Sequence, residues 1–172
     1  MEQILIPVIN TGDKMKSLYE KLTEKSRPVE IAVGKKLEQV SKKYYYEVED
    51  QTMDYDVCLV NSENGKKVKV EVKVHKGCNE YNKHYPTFPV EVEEYQYRHN
   101  DYVKSHWLTA DFDVFAQVDM HTKKIHLYRA SDFKAWTATK MYRARHATHA
   151  NTRFLLSSWI NHEAGYITSI EL

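Results

Sequence analysis

From Lys67 to His75 the chain alternates without a break. Val68, Val70, Val72 and Val74 fall on one side, Lys69, Glu71, Lys73 and His75 on the other. A period of two sustained over that length is what a β-strand presents, because successive strand side chains point to opposite faces. Upstream, Tyr55 to Val60 forms a second strand-like run led by Asp56, and Asn64-Gly65 between the two runs is a hairpin signal. The runs are therefore expected to fold back on each other and carry Asp56 towards Glu71 and Lys73. Two carboxylates and an amine then meet at one point.

The chain has 172 residues, 42% of them hydrophobic and 12% aromatic, enough for one domain with a real core, and 1–172 is read as a single domain. No run approaches the roughly 18 apolar residues of a membrane span. The N-terminus MEQILIPVIN has neither a basic start nor a long apolar stretch, so neither insertion nor export is indicated and a cytoplasmic location is expected. Cys58 and Cys78 suggest no disulfide framework and read as free thiols. A net charge of +1 does not announce a nucleic-acid binder, but the charge is uneven. From Phe133 to His162 stand Lys134, Lys140, Arg143, Arg145 and Arg153, with His146, His149 and His162 and no carboxylate.

Met15, Leu18 and Leu22 give helical spacing over Asp13 to Lys25, and a second helix opens with Pro28 as its first residue. Its stripe of Val29, Val33, Leu37 and Val40 is spaced to face a sheet, with Glu30 beside it, and it ends near Lys42 or Lys43. Tyr44 to Val48 is a strand by its aromatic and β-branched content, followed by Tyr55 to Val60 and Lys67 to His75. The segment KGCNEYNKHYPTFP reads as a long functional loop placed over a cleft. From Val90 to His106, the positions Val92, Tyr95, His99, Tyr102 and Val103 suggest a helix. Phe112 to Val118 and Lys124 to Tyr128 form a second hairpin, followed by a helix capped by Ser131 and carrying Phe133, Trp136 and Ala144, the two aromatics read as core. The tail is ambiguous between strand and helix, and there is no internal repeat.

The order helix, strand, Asp-bearing strand, Glu-x-Lys strand, helix, strand resembles the PD-(D/E)xK nuclease superfamily. The resemblance covers about residues 28 to 136, with about 137 to 172 as a basic C-terminal extension. It implies an α/β, restriction-endonuclease-like fold, a mixed central β-sheet flanked by α-helices. Glu-x-Lys alone is a common triplet; its context carries the likeness. Carried over, the family's acids fall on Asp56 and Glu71, its lysine on Lys73, and its frequent helix acid on Glu30. Asp54 rivals Asp56 as the metal acid, Glu38 rivals Glu30, and Tyr55 stands where the name-giving proline would be. Asp111 and Asp113 belong near the start of the strand after the second helix.

The activity implied is magnesium-dependent hydrolysis of DNA phosphodiesters, with manganese a substitute and a homodimer suggested by the same analogy. Phosphodiester cleavage needs extra negative charge on the phosphate stabilised and a nucleophile delivered in line. A hard divalent cation takes oxygen ligands and keeps several waters, so Asp56, Glu71 and, by analogy, the Val72 carbonyl make a sufficient site. Lys73 would orient the nucleophile and offset charge. Lys140, Arg143, Arg145 and Arg153, interleaved with Tyr142 and His146, suit phosphates and exposed bases. The plain alternatives are a solvated hairpin face for the triplet and a solvated helix face for the cations. A non-catalytic nuclease-like module and an RNA-directed nuclease are the competing functions. His75, Cys78 and His84 fit no zinc framework.

Overall fold

The structure, a computed structural model, describes residues 18–48, 54–147 and 151–172. Among these it is a mixed α/β fold, mostly sheet, with two α-helices. Helix α1 spans Leu18–Ser41, and the strands β1 (Tyr44–Glu47), β2 (Val57–Asn61) and β3 (Lys67–His75) follow it as an antiparallel meander. The hairpin between β2 and β3 closes as its sequence predicts. Asn61 accepts from the Gly65 N–H at 2.9 Å, its side chain accepts from Glu63 N–H at 2.9 Å, and Gly65 takes a left-handed φ of 71°.

A second hairpin, β4 (Thr87–Gln96) and β5 (Asp101–Lys104), then leads to β6 (Val114–Asp119), β7 (Lys124–Arg129) and helix α2 (Ala130–Lys140). The chain finishes with β8 (Arg145–His146), β9 (Thr152–Ser158) and β10 (Tyr166–Glu171). One sheet has the order β1-β2-β3-β6-β7-β10, with β3 and β6 parallel; the other, antiparallel, has the order β5-β4-β9-β8.

Each face of the six-stranded sheet is covered differently. The valines of β3 point to α1, where Val33 and Leu37 pack with Val57, Val70, Val72 and Ile125. On the opposite face, Phe115 and Tyr128 meet Phe88 and Val90 of β4, Phe133 of α2 and Trp107. Phe133 is fully buried among the rings of Phe115, Tyr128 and Phe88, at centroid distances of 5.0, 5.0 and 6.4 Å. Rings buried this way contribute roughly 2–3 kcal/mol each, with up to about 1 kcal/mol more from edge contacts. Among the described residues no helix is long and apolar enough to cross a membrane.

Three expectations are corrected. The two helices placed either side of Pro28 are one helix, with Pro28 inside it. An internal proline removes one backbone hydrogen bond, at about 3 kcal/mol, and the helix formers on both sides together with the buried Val33 and Leu37 offset it. Residues 13–17, with Met15, lie outside the described residues. The helix expected over Val90 to His106 is the β4–β5 hairpin. Its helical spacing is incidental: Phe88, Val90 and Val92 are buried while Pro89 and Glu91 are exposed, a period of two that tertiary burial selects. Pro89 is tolerated because β5 pairs only from Glu93 onward, leaving that edge without a ladder at residue 89. Finally, α2 starts at Ala130, so Ser131 lies within its first turn and Arg129 holds the cap position without a capping bond, its Nε pairing with Asp132 Oδ2 at 2.6 Å; the helix ends at Lys140, so Ala144 lies beyond it.

The loop 76–86 packs at the His75 end of β3. His84 Nε2 bonds the buried Asp119 Oδ2 at 2.6 Å, and Tyr85 N–H donates to Gly77 O at 2.9 Å. Gly77 has φ 77°, and a Cβ there would stand 1.9 Å from Asp119 Oδ1. Gly65 shares the left-handed backbone but has open space around it. Gly65→Ala should therefore cost about 1 kcal/mol, from backbone strain alone, and Gly77→Ala clearly more. Urea midpoints of the two variants test this, and equal losses would refute the close packing of the loop on Asp119.

Candidate active site

The site forms where β2 stops short of β3. Pairing runs from Val60–Lys67 to Val57–Val70, and Asp56 N–H extends it by donating to Val70 O at 3.0 Å. Beyond that, the edge of β3 facing β2 has no ladder, and the Asp56 carboxylate takes its place: Val72 N–H donates to Asp56 Oδ2 at 2.8 Å. The N–H and C=O of one strand residue point to the same side, so the Val72 carbonyl opens beside Asp56. One residue either side, Glu71 and Lys73 project from the opposite face to the valines, and Lys73 Nζ lies 2.7 Å from Glu71 Oε1. Glu71 is 8% exposed, while the Lys73 side chain is about half exposed.

Helix α1 closes the back of the site. Arg27 Nη1 donates to the Asp56 carbonyl at 3.0 Å and to Glu30 Oε2 at 3.1 Å, and Glu30 is 4% exposed. Of the rival acids, Glu38 instead accepts the Tyr46 N–H at 2.6 Å, at the start of the sheet. Asp54 is exposed, 3.5 Å from His106, and its charge is felt at Lys69. Asp111 and Asp113 also go to Lys69. Asp111 bonds its Nζ at 3.0 Å, and Asp113 Oδ2 accepts its backbone N–H at 2.9 Å. That places them one step along β3 from Glu71, away from Asp56.

Electrostatics mark this as a cluster of acids in one another's field. Burial, then the charge of Glu71, push the Asp56 carboxyl up to about 7; the Val72 N–H and Lys73 work against the shift and Glu30 adds to it. Burial also opposes the Lys73 ammonium, yet Glu71, by charge and hydrogen bond, then Asp56 and Glu91, hold its pKa above the ordinary lysine value. Lys134 of α2 is held below the usual lysine range, chiefly by burial; it donates to Ala110 O at 2.6 Å and feels Asp111 and Glu71.

The residues of the basic segment do not share one role. Arg153 is committed: its Nη1 bonds Glu93 Oε2 at 3.0 Å and its guanidinium lies over the Tyr102 ring. Arg143 and Arg145 are exposed, and Lys140 ends α2. His149 lies outside the described residues. His75 bonds Gln117 at 2.7 Å and His84 bonds Asp119, so neither faces Cys78 with a free ring nitrogen pair. Neither Cys58 nor Cys78 forms a disulfide among the described residues. Among the described residues no group of three or more His, Cys, Asp or Glu side chains is placed to hold a metal.

Sequence reasoning missed Arg27, Glu91 and Gln117. Arg27 had a signal, standing three residues before Glu30 on a helix, the spacing of an ion pair. Gln117 is the one polar residue in the apolar middle of β6, opposite Lys73 in register. Glu91 was hidden by the expected helix. Comparison with protein-family models, with curated proteins and with solved structures finds no match to this chain.

The raised Asp56 pKa has a definite consequence for stability. An acid that keeps its proton to about pH 7 when folded, against 3.8 otherwise, favours the folded state fully below about pH 4, and that contribution is lost as pH rises to 7. Asp56→Asn keeps an acceptor for Val72 N–H and removes the charge. It should be more stable than the parent at pH 8 by on the order of 2 kcal/mol, with the gap closing towards pH 4. Denaturant midpoints across that range measure it; a variant less stable at pH 8 would contradict the crowding of acids described here.

Proposed function

We propose that this chain is a divalent-metal-dependent deoxyribonuclease of the PD-(D/E)xK type, an endonuclease built on a restriction-endonuclease-like core. One observation carries the reading: Asp56, half-buried and bonded to the Val72 N–H, sits in the field of the buried Glu71, to which Lys73 is bonded. An acid whose proton affinity is raised by burial and by a second acid beside it belongs to a donor set that a cation relieves. The topology supports it, with the Asp-bearing and Glu-x-Lys strands antiparallel and the latter parallel to β6. It departs in the crossover, where the family pattern expects a helix and this chain has the β4–β5 hairpin.

Asp56, Glu71 and the Val72 carbonyl are the residues that would hold magnesium or manganese, a small all-oxygen set that suits a cation keeping several waters. When bound, the ion supplies charge neutralisation and Lewis acidity towards the scissile phosphate. The chain does the rest. Asp56 and Glu71 would supply the carboxylates, Glu30 and Arg27 fix the β2 end of the site, and Lys73, kept protonated and half exposed, donates to a phosphate oxygen and orients the attacking water. Arg143, Arg145 and Lys140 contact phosphates. The protein would act in the cytoplasm, and duplex cutting would call for a homodimer.

Supercoiled plasmid, linear duplex, single strands and RNA, each incubated with magnesium, manganese or chelator, test the reading. Cleavage should occur with metal, stop in chelator, and fall about a hundredfold or more in Asp56→Ala and Lys73→Ala. In a thermal-shift assay at pH 8, magnesium should stabilise the parent and leave Glu71→Gln unmoved. Nucleic-acid binding without cleavage under any metal would instead favour a non-catalytic module.

A further inference from the structure

The free end of the β4–β5 hairpin carries rings that belong to neither hydrophobic core. Tyr95 and Tyr102 face each other across the hairpin, with centroids 5.2 Å apart and edge to face. Tyr97 meets Tyr95 edge-on at 5.1 Å, and Asn151 Nδ2 donates to the Tyr97 hydroxyl at 2.5 Å. From β8, His146 lies 5.4 Å from Tyr102 and bonds its hydroxyl at 2.9 Å. Tyr97 is 76% exposed. A second exposed ring, Tyr142 at 75%, has the Arg143 guanidinium 5.3 Å above it.

Scattered exposed rings need no explanation, but a contiguous set held in fixed mutual geometry does. Two things select its occupant. The first is charge: Arg143 lies over Tyr142 and Arg145 precedes His146 on β8, on a stretch with no carboxylate from Phe133 to His162, which favours a polyanion. Glu93 is paired with Arg153, and the exposed acids Glu94 and Asp101 on the hairpin are matched in number by the exposed Arg98 and Lys104. The second is the form of the surface. A duplex hides its base faces and offers nothing to a tyrosine ring, whereas unpaired bases stack on such rings whatever their identity.

We infer that the Tyr95–Tyr97–Tyr102–His146 cluster, with Tyr142, is a stacking platform for unpaired bases of a single-stranded polynucleotide. Its relation to cleavage rests on the nuclease reading above. Glu91, whose charge reaches Lys73, precedes Tyr95 by four strand residues, about 13 Å, so a strand lying on the rings leads towards Glu71 and Lys73 within a few nucleotides. The platform itself does not need that reading.

Fluorescence anisotropy in chelator tests it, with a labelled oligothymidine, the matching oligouridine and a duplex of equal length as probes. Both single strands, or whichever sugar the site accepts, should bind more tightly than the duplex. Tyr97→Ala and Tyr142→Ala should each weaken that binding about tenfold, and Tyr97→Phe should restore it. Both rings are exposed enough that the variants keep the parent's melting midpoint, which is checked alongside. Duplex bound as tightly as single strands, or alanine variants that bind like the parent, would overturn the platform. Tyr97-dependent single-strand binding without cleavage in any metal would leave it standing and sink only the nuclease reading.

Discussion

β3 lies third of six in its sheet, with neighbours along both edges for part of its length and material packed on both faces. A strand so placed ordinarily reads as unbroken apolar sequence. This one keeps a polar face, and Glu71 on it is almost fully buried. Glu71 in particular must find a partner within the protein, because a buried group left unpaired loses about 1–3 kcal/mol. Neighbouring elements answer in turn: Asp113 and Asp111 at Lys69, Lys73 at Glu71, Gln117 at His75. The arrangement around β3 is a consequence of having to satisfy that row.

Asp56 differs from its neighbours in how well it is satisfied. Lys69 gains two acids near the surface and His75 gains an amide, whereas Asp56 is brought by a backbone hydrogen bond into the field of Glu71 and Glu30. The Val72 N–H and Lys73 stabilise its charge, but burial and the neighbouring acids outweigh them. A fold selected for stability alone would place an asparagine there and keep the Val72 bond. The carboxylate at that point is what a cation-binding role would ask for, and it costs the folded protein stability near neutral pH.

How much of this was legible in the sequence depended on where local pattern and tertiary context agreed. β2, the Asn64-Gly65 turn and β3 were legible because a strict period of two and a glycine needing positive φ are local signals that burial reinforces. So was the meeting of Glu71 with Lys73, two residues apart on one strand. Continuity of α1 through Pro28 was not, since the penalty of one proline is local while the Val33 and Leu37 burial that offsets it belongs to the whole sheet. β4 defeated the reading for a similar reason. Its bulge at Val92, where Glu91 and Glu93 pair with consecutive residues of β9, breaks the alternation halfway and leaves a spacing that mimics a helix.

That bulge also ties the two sheets into one functional argument. By inserting a residue it lets Val90 and Val92 stay in the core while Glu93 turns to meet Arg153, so the second half of the hairpin projects beyond the core instead of closing on it. Ser105, itself buried, fastens the base of the projection by donating to Glu91 Oε1 at 2.9 Å, and Trp107 Nε1 donates to the Glu91 carbonyl at 2.6 Å. Glu91 is thus a pivot with Lys73 on one side and the tyrosine-bearing end on the other. In place of a covering helix, the crossover between β3 and β6 supplies a surface. If the chain acts on polynucleotides, this surface is where its choice of substrate would be made.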